Sequence, residues 1–385
     1  MRSEPFRILH CPMNVGNNPY SLAQAERALG WDSHALVYER HYMRFPIDEV
    51  ILTPGDNRLM RELKRWRLLW RALRRFDLIH FNFGQAILPM QGGDRRGKYP
   101  GPAYRVYDWY VRLVYARDLQ LLRRAGKGIV VTYQGDDARQ GDFCRAHFDI
   151  SIAHAVGPDY YSPEGDARKR RNIATFGRYA DRIYALNPDL LYVLPPHARF
   201  MPYAILDPDA WTPRYPRPDA PRLHVVHAPT HKVAKGTRHI LEAVARLRQQ
   251  DHLDFEFTLV ENTSNAEARR VYERADLLVD QLLAGWYGGL SVELMALGKP
   301  AICYLRAEDL KFIPDAMRAA MPVISATPQS IYAVLKEYLT DRRHALPTVG
   351  RRARAYVERW HHPRKIAEML IQDYADILAA RGRVG

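Results

Sequence analysis

The sequence is poor in cysteine, lacks any long apolar run, and is short of acid. Three cysteines among 385 residues, Cys11, Cys144 and Cys303, are odd in number and far apart. That excludes a disulfide scaffold and makes a reducing compartment the simplest reading. No apolar run reaches the roughly 18 residues that a membrane-spanning helix needs, and the opening MRSEPFRILHCPMN holds no apolar stretch of signal-peptide length. The expectation is a cytoplasmic protein, with peripheral attachment to the inner face of a membrane left open. No CxxC or HExxH pattern offers a metal site. No GxGxxG turn is present, which disfavours a dehydrogenase. Neither an internal repeat nor a low-complexity tract is apparent.

What is present is the composition of a globular protein, with 47% hydrophobic and 26% charged residues. The length suits two domains better than one. Fifty-seven Lys and Arg against 43 Asp and Glu leave a formal charge of +14. The excess is concentrated, because 58–75 alone carries eight basic residues and one acid, Glu62. In that segment Leu59, Leu63, Trp66, Trp70 and Leu73 recur at helical spacing. The other face holds Arg58, Arg61, Lys64, Arg65, Arg67, Arg71, Arg74 and Arg75. Two readings stand: a surface helix that packs its apolar stripe on a core, or a helix that meets an anionic membrane with tryptophans at the boundary. Nucleic acid is not expected as a partner, since no nucleic-acid motif accompanies the charge.

Short apolar strand candidates lie at 6–12, 33–38, 76–83 and 128–135, and again at 222–229, 255–262, 276–281, 300–305 and 322–326, with helical stretches between them. Strands that read as continuous apolar runs and alternate with helices predict parallel sheets covered on both faces. Between the two series, Pro202, Pro208, Pro213, Pro216, Pro218 and Pro221 mark a linker near 203–221. The fold class expected is α/β, with two Rossmann-like, doubly wound domains facing each other across a cleft. Their bounds are 1–205 and 206–360, followed by a C-terminal helical segment at 361–385. Ligands in such folds bind beyond the carboxyl ends of the strands.

The polar motifs fall on those ends. After the first strand, Gly16 and Asn17 form a loop able to approach a ligand, with a helix expected from Ser21; an ordinary turn is the alternative. In HAPTHKVAKGTRHI the residues His231, Lys232 and Lys235 cluster where a helix begins, a place that favours an anion. A solvated lysine loop is the competing reading. In GWYGGLSVELMALGKP, Gly288 and Gly289 permit close approach of backbone to ligand. Glu293 stands in the first turn of the next helix, where a carboxylate is stabilised and able to accept ribose hydroxyls. Two phosphate-suited helix starts in one domain suggest a diphosphate ligand such as a nucleotide sugar. In the first domain, Gln134, Gly135, Asp136, Asp137 and Arg139 follow one strand, and His80 and Asn82 end another. Each of these is as readily a satisfied turn residue.

The runs HAPTHKVAKGT, ADLLVD and GWYGGLSVELMALGKP together resemble the donor-binding domain of family 4 retaining glycosyltransferases, and GKGIVVTYQGDDAR resembles a bacterial branch of that family. The resemblance implies the GT-B fold and a hexosyltransferase-type enzyme. It implies a nucleotide-diphosphate sugar co-substrate, UDP-sugar favoured, with no cofactor and no metal. Lys235 would face the diphosphate, helped by Lys232 or His231, and Glu293 would hold the ribose. Backbone at Gly288, Gly289 and Leu290 would meet the distal phosphate. Thr230, Glu261, Asn262 and Tyr287 complete the donor side; Gly16, Asn17, Gln134, Gly135 and Arg139 form the acceptor side. The acceptor would be a glycan, a lipid-linked molecule or a small molecule, as in cell-envelope polysaccharide or glycoconjugate synthesis. The last helix would cross back to the first domain. Two departures stand out. The first glutamate of the family's paired motif falls on Gly285, which leaves Asp280, Trp286 or Tyr287 to read the sugar. A histidine of the family falls on Gln134, which leaves Asp137 and His80 as substitutes beside Lys235 in catalysis. The alternatives are a nucleotide-sugar epimerase or phosphorylase on the same architecture, or a non-catalytic membrane- or polyanion-binding protein. The phosphorylase would need a pyridoxal-phosphate lysine, for which no motif is seen.

Overall fold

The computed structural model describes residues 6–40, 45–90, 102–261 and 263–382. It divides into two compact units. The first comprises the described residues of Met1–Gln140, Ser162–Ile205 and Pro363–Gly385, and the second those of Gly141–Tyr161 and Leu206–His362.

The first unit is built on seven parallel strands. They are β1 (Arg7–Cys11), β2 (Asp32–Val37), β3 (Glu49–Val50), β4 (Leu78–Asn82), β5 (Gly128–Tyr133), β6 (Arg182–Ala185) and β7 (Arg199–Phe200), in the order β3-β2-β1-β4-β5-β6-β7. β4 and β5 are buried at every residue, the burial that near-continuous apolar runs require in a sheet covered on both faces. The helix Asn18–Ala28 starts before Ser21, which lies buried inside it. Asn17 stands at its N-terminus with φ +63°, and Pro19 occupies its first turn, where a missing N–H costs nothing. The helix Pro163–Tyr179 begins on Ser162, whose hydroxyl accepts from Gly165 N–H at 3.1 Å. The C-terminal helix Pro363–Ala379 belongs to this unit. Its Tyr374 hydroxyl reaches His80 Nδ1 at 2.6 Å, and Asp373 takes the Tyr184 hydroxyl. Beyond its end, Arg381 binds Asp181 at 2.7 Å.

The second unit carries five parallel strands, β8 (His224–His227), β9 (Glu256–Leu259), β10 (Leu277–Val279), β11 (Ala301–Cys303) and β12 (Ile324–Ser325), in the order β12-β11-β10-β8-β9. The helix Thr237–Gln249 buries Ile240, Val244 and Leu247 against this sheet's core, each worth roughly 1.5–3 kcal/mol by burial. The proline-dense stretch is not loose. Arg214 N–H bonds Leu297 O at 2.8 Å, and Arg354 reaches Trp211 O at 2.6 Å. Gly141–Tyr161 belongs to this second unit although it interrupts the first in sequence. Phe148 lies under the Arg306 guanidinium at 3.7 Å, and Ile150 O accepts from the same group at 2.8 Å. Among the described residues no helix is long and apolar enough to cross a membrane.

Candidate functional site

The polar centre of the second unit lies past β8 and β10, at the sheet's switch point, where β8 has β10 on one side and β9 on the other. After β8 the chain makes a short helix, Lys232–Lys235, which His231 caps by accepting Ala234 N–H on Nδ1 at 3.2 Å. Gly236 then takes φ +75° and the helix Thr237–Gln249 follows. Thr230, His231 and Lys232 are exposed, and Lys232 pairs with Glu261 beyond β9 at 2.9 Å. Lys235 is held from below. Its Nζ donates to Asp280 Oδ1 at 3.0 Å and to Gln281 Oε1 at 2.6 Å. An ammonium has three donors, so one remains. Burial pushes the Asp280 carboxyl up, but Lys235, Gly288 N–H and the Ser291 hydroxyl outweigh it and hold the group below the usual range. Behind these residues the buried His227 bonds Val279 O and Thr237 Oγ1, both at 2.8 Å. Its pKa is lowered to about 4, mainly by burial, so the ring is neutral.

Past β10 the helix Gly289–Ala296 opens on Gly288, whose N–H donates to Asp280 Oδ2 at 2.8 Å. A Cβ at 288 would stand 3.2 Å from that oxygen and 3.3 Å from Lys235 Nζ, so glycine is what lets the two loops meet. The first N–H groups of any helix lack an internal acceptor, and among the described residues none is recorded for Gly289 or Leu290. Glu293 does not stand in the first turn of this helix, as expected, but past it as the fifth helical residue; it is half-buried and has no hydrogen-bond or ion-pair partner among the described residues. Burial pushes its carboxyl up to about 7. Asn262 lies outside the described residues.

Several expected site residues are turned inward instead. Tyr287 is fully buried, with its hydroxyl 2.9 Å from His361 Nε2 and 3.1 Å from the Tyr356 hydroxyl. Trp286 is buried and stacked on it at 4.3 Å. Neither faces a ligand, because this stretch supplies the packing under the helix start. In the first unit, His80 spends both ring nitrogens on protein partners, Tyr374 at 2.6 Å and Thr132 at 2.7 Å, and burial holds its pKa well below 6.5. Arg139 is buried and clamps Asp189 at 2.7 Å and Asp136 at 3.0 Å. Asp137 accepts the N–H groups of Gln134 and Gly135, at 3.0 and 2.7 Å, and so closes the turn after β5. Burial raises its pKa to about 7. Gly135 is buried in that turn. What stays unsatisfied in this unit is a set of buried amide atoms. Buried side-chain atoms without a partner include Asn14 Oδ1, Asn17 Oδ1, Asn18 Nδ2, Asn82 Oδ1 and Gln134 Nε2. The other ends of three are anchored: Asn17 Nδ2 donates to Ile205 O at 2.9 Å, Asn18 Oδ1 accepts Ala204 N–H at 2.8 Å, and Asn82 Nδ2 donates to His80 O at 3.1 Å. Gly16, at φ +61°, shapes the loop before Asn17.

No family model matches the chain, and no curated protein sequence matches it. Solved structures do. A structure of Anabaena HepE in complex with UDP-glucose superposes with a TM-score of 0.59 at 12% identity, over 96% of this chain and 100% of that one. A sucrose-phosphate synthase from Thermosynechococcus elongatus gives 0.57 at 16%, over 97% and 100%. A glycosyltransferase from Rickettsia africae gives 0.59 at 12%, over 97% and 99%. The fold is GT-B. Within it, position 285 explains the missing glutamate. Gly285 has φ +80°, and a Cβ there would stand 2.6 Å from an Arg306 guanidinium nitrogen. Arg306 is itself buried and paired with Asp309 at 2.8 Å. The space that a side chain at 285 would use is already filled, by a residue that no motif had singled out.

Glu293 gives a pH signature in this GT-B chain. Its carboxyl titrates near 7 when folded, against an ordinary value of 4.5. The folded state therefore holds the proton more tightly, and stability falls as pH rises from 4.5 to 7. Glu293→Gln is expected to stabilise the protein by up to about 3 kcal/mol at pH 8 and to change nothing at pH 4. Denaturant melts at the two pH values check this. Equal effects at both would contradict the assignment of a desolvated carboxyl.

Proposed function

We infer that this chain transfers a sugar from a nucleoside-diphosphate sugar to an acceptor hydroxyl. The observation that carries the reading is Lys235. It is a cation fixed between the ends of two adjacent strands, with one N–H unspent, beside a helix start with open N–H groups and a carboxylate with no protein partner. Lys235 takes the diphosphate, with Lys232 and His231 on the exposed side. Gly289 and Leu290 N–H groups meet the distal phosphate, and Glu293 accepts the ribose hydroxyls. These groups, rather than a metal ion, balance the charge that grows on the departing diphosphate, the kind of preorganised term that usually dominates. A UDP-sugar is the favoured donor, since HepE, of the same fold, was solved with UDP-glucose.

The acceptor is assigned to the first unit on the motif resemblance; near its strand ends the amides of Asn17, Asn82 and Gln134 each leave one buried atom without a protein partner. A glycan, a lipid-linked sugar or a small metabolite offers acceptor hydroxyls, and envelope polysaccharide synthesis is the setting in which they occur. His80 and Asp137 are committed to protein groups, so the leaving phosphate takes the acceptor proton. Retention at the anomeric carbon and membership of family 4 rest on the motif resemblance. The test is turnover: UDP-glucose and other sugar nucleotides are incubated with hydroxyl acceptors and the freed nucleoside diphosphate is measured. Release that depends on acceptor supports the reading, and no release from any UDP-, GDP- or ADP-sugar contradicts it.

A further inference from the structure

The basic helix Arg58–Arg75 does not pack its aromatic stripe on a core. Leu68, Leu69 and Ala72 are buried instead. Leu59 is 71% exposed, Leu63 54%, Trp70 55% and Trp66 38%. The neighbouring helix Pro102–Val114 repeats the pattern, with Val106, Trp109 and Leu113 each more than half exposed. The two helices are tied side by side. Glu62 accepts the hydroxyls of Tyr107 and Tyr110 at 3.1 and 3.0 Å, and Trp66 donates to the Tyr110 hydroxyl at 2.8 Å. Two apolar rows carrying three tryptophans thus face outward on adjacent helices of one unit.

The charge around them is selective. Arg61, Lys64, Arg65 and Arg71 are neutralised by Glu39, Asp56, Glu62 and Glu49. Arg67 and Arg75 are exposed and have no acidic partner among the described residues, and Arg74 lies over the Trp70 ring at 4.5 Å. Lys64, Arg67, Arg71 and Arg75 line a concavity of about 330 Å³ beside Trp70. A second copy of this chain is a poor occupant, because it would set the exposed Arg67, Arg74 and Arg75 against the same three cations. Apolar rings bounded by unspent guanidiniums are what an interface of acyl chains and anionic headgroups accepts.

We propose that the exposed faces of Arg58–Arg75 and Pro102–Val114 dock on an anionic lipid bilayer, with Trp66, Trp70 and Trp109 at headgroup depth and Arg67, Arg74 and Arg75 among the phosphates. This stands apart from the donor site, since none of these residues belongs to it. The test is flotation of the full chain with vesicles of phosphatidylcholine alone and with one-third phosphatidylglycerol. Wild-type protein floats with the anionic vesicles, weakly with the neutral ones, and less at high salt. Replacing Arg67, Arg74 and Arg75 with serine lowers binding by on the order of a hundredfold. Trp70→Ser with Trp109→Ser lowers it too, at any salt. All variants keep the wild-type melting temperature and nucleotide binding, since the changed side chains are exposed. Wild-type protein that does not float overturns the proposal. So does floating that the tryptophan variants leave unchanged, which would mean electrostatic capture of any polyanion, and so does self-association through these helices in sedimentation.

Discussion

Lys235→Met is expected to lower sugar transfer by roughly 10²–10³-fold and to destabilise the protein at the same time. The two effects have separate causes. The first is loss of the cation that faces the diphosphate. The second is the fate of Asp280, which is fully buried and has Lys235 as its charge partner at 3.0 Å. Removing one member of a buried pair typically costs about 3–5 kcal/mol, because the other charge is left uncompensated. Asp280 keeps the Gly288 N–H and the Ser291 hydroxyl, so the lower end of that range applies. The double variant Lys235→Met with Asp280→Asn is therefore expected to recover most of the stability and none of the activity. Paired measurements of turnover and melting temperature check this. Activity that returned with stability would mean that Lys235 serves the fold alone.

Gly285→Ala is expected to destabilise nearly as much as Gly285→Glu, by about 3 kcal/mol in each case. The backbone there is left-handed, which costs an L-residue roughly 1–2 kcal/mol. The clash with Arg306 begins at Cβ, at 2.6 Å, and overpacking of this kind adds typically 1–3 kcal/mol. Restoring the glutamate of the resembled motif is thus a loss, with no new contact to a sugar to offset it. Thermal melts of the two variants decide the point. Gly285→Glu at wild-type stability would show that Arg306 moves aside freely, and would reopen this position as a sugar contact.

The contrast between Lys235 and His80 shows what the sequence could and could not say. The place of Lys235 is legible because its surroundings are local: strand, short loop, glycine, helix. Glu293 is legible as part of the next helix, but it falls past the first turn because that helix opens on Gly288. His80 also ends a strand among polar neighbours, yet its ring is consumed by Tyr374, which lies 294 residues away in the chain. No local pattern carries that pairing. Arg139 and Tyr287 fail in the same way, through Asp189 and through Tyr356 with His361. The long apolar strands were readable, whereas β3, β6 and β7 were not. β3 and β7 are two residues each, Glu49–Val50 and Arg199–Phe200, and carry a charged residue apiece, while β6 presents only Ile183, Tyr184 and Ala185 as an apolar run. The stripe of 58–75 was readable as a stripe but not as to what it faces. Leu68, Leu69 and Ala72 were enough to anchor the helix, so the tryptophans were left outside.

The central claim is that the second unit's loops after β8 and β10 hold a nucleoside diphosphate. Thermal denaturation of the whole protein with UDP, GDP and ADP, and with their sugar conjugates, tests it most directly. A ligand at one hundred times its Kd that binds only the folded state adds about 2.7 kcal/mol, a rise of several degrees. Such a rise is expected with one diphosphate family, UDP foremost, and none in Lys235→Met with Asp280→Asn. No rise with any nucleoside diphosphate, or an equal rise in that double variant, would contradict it.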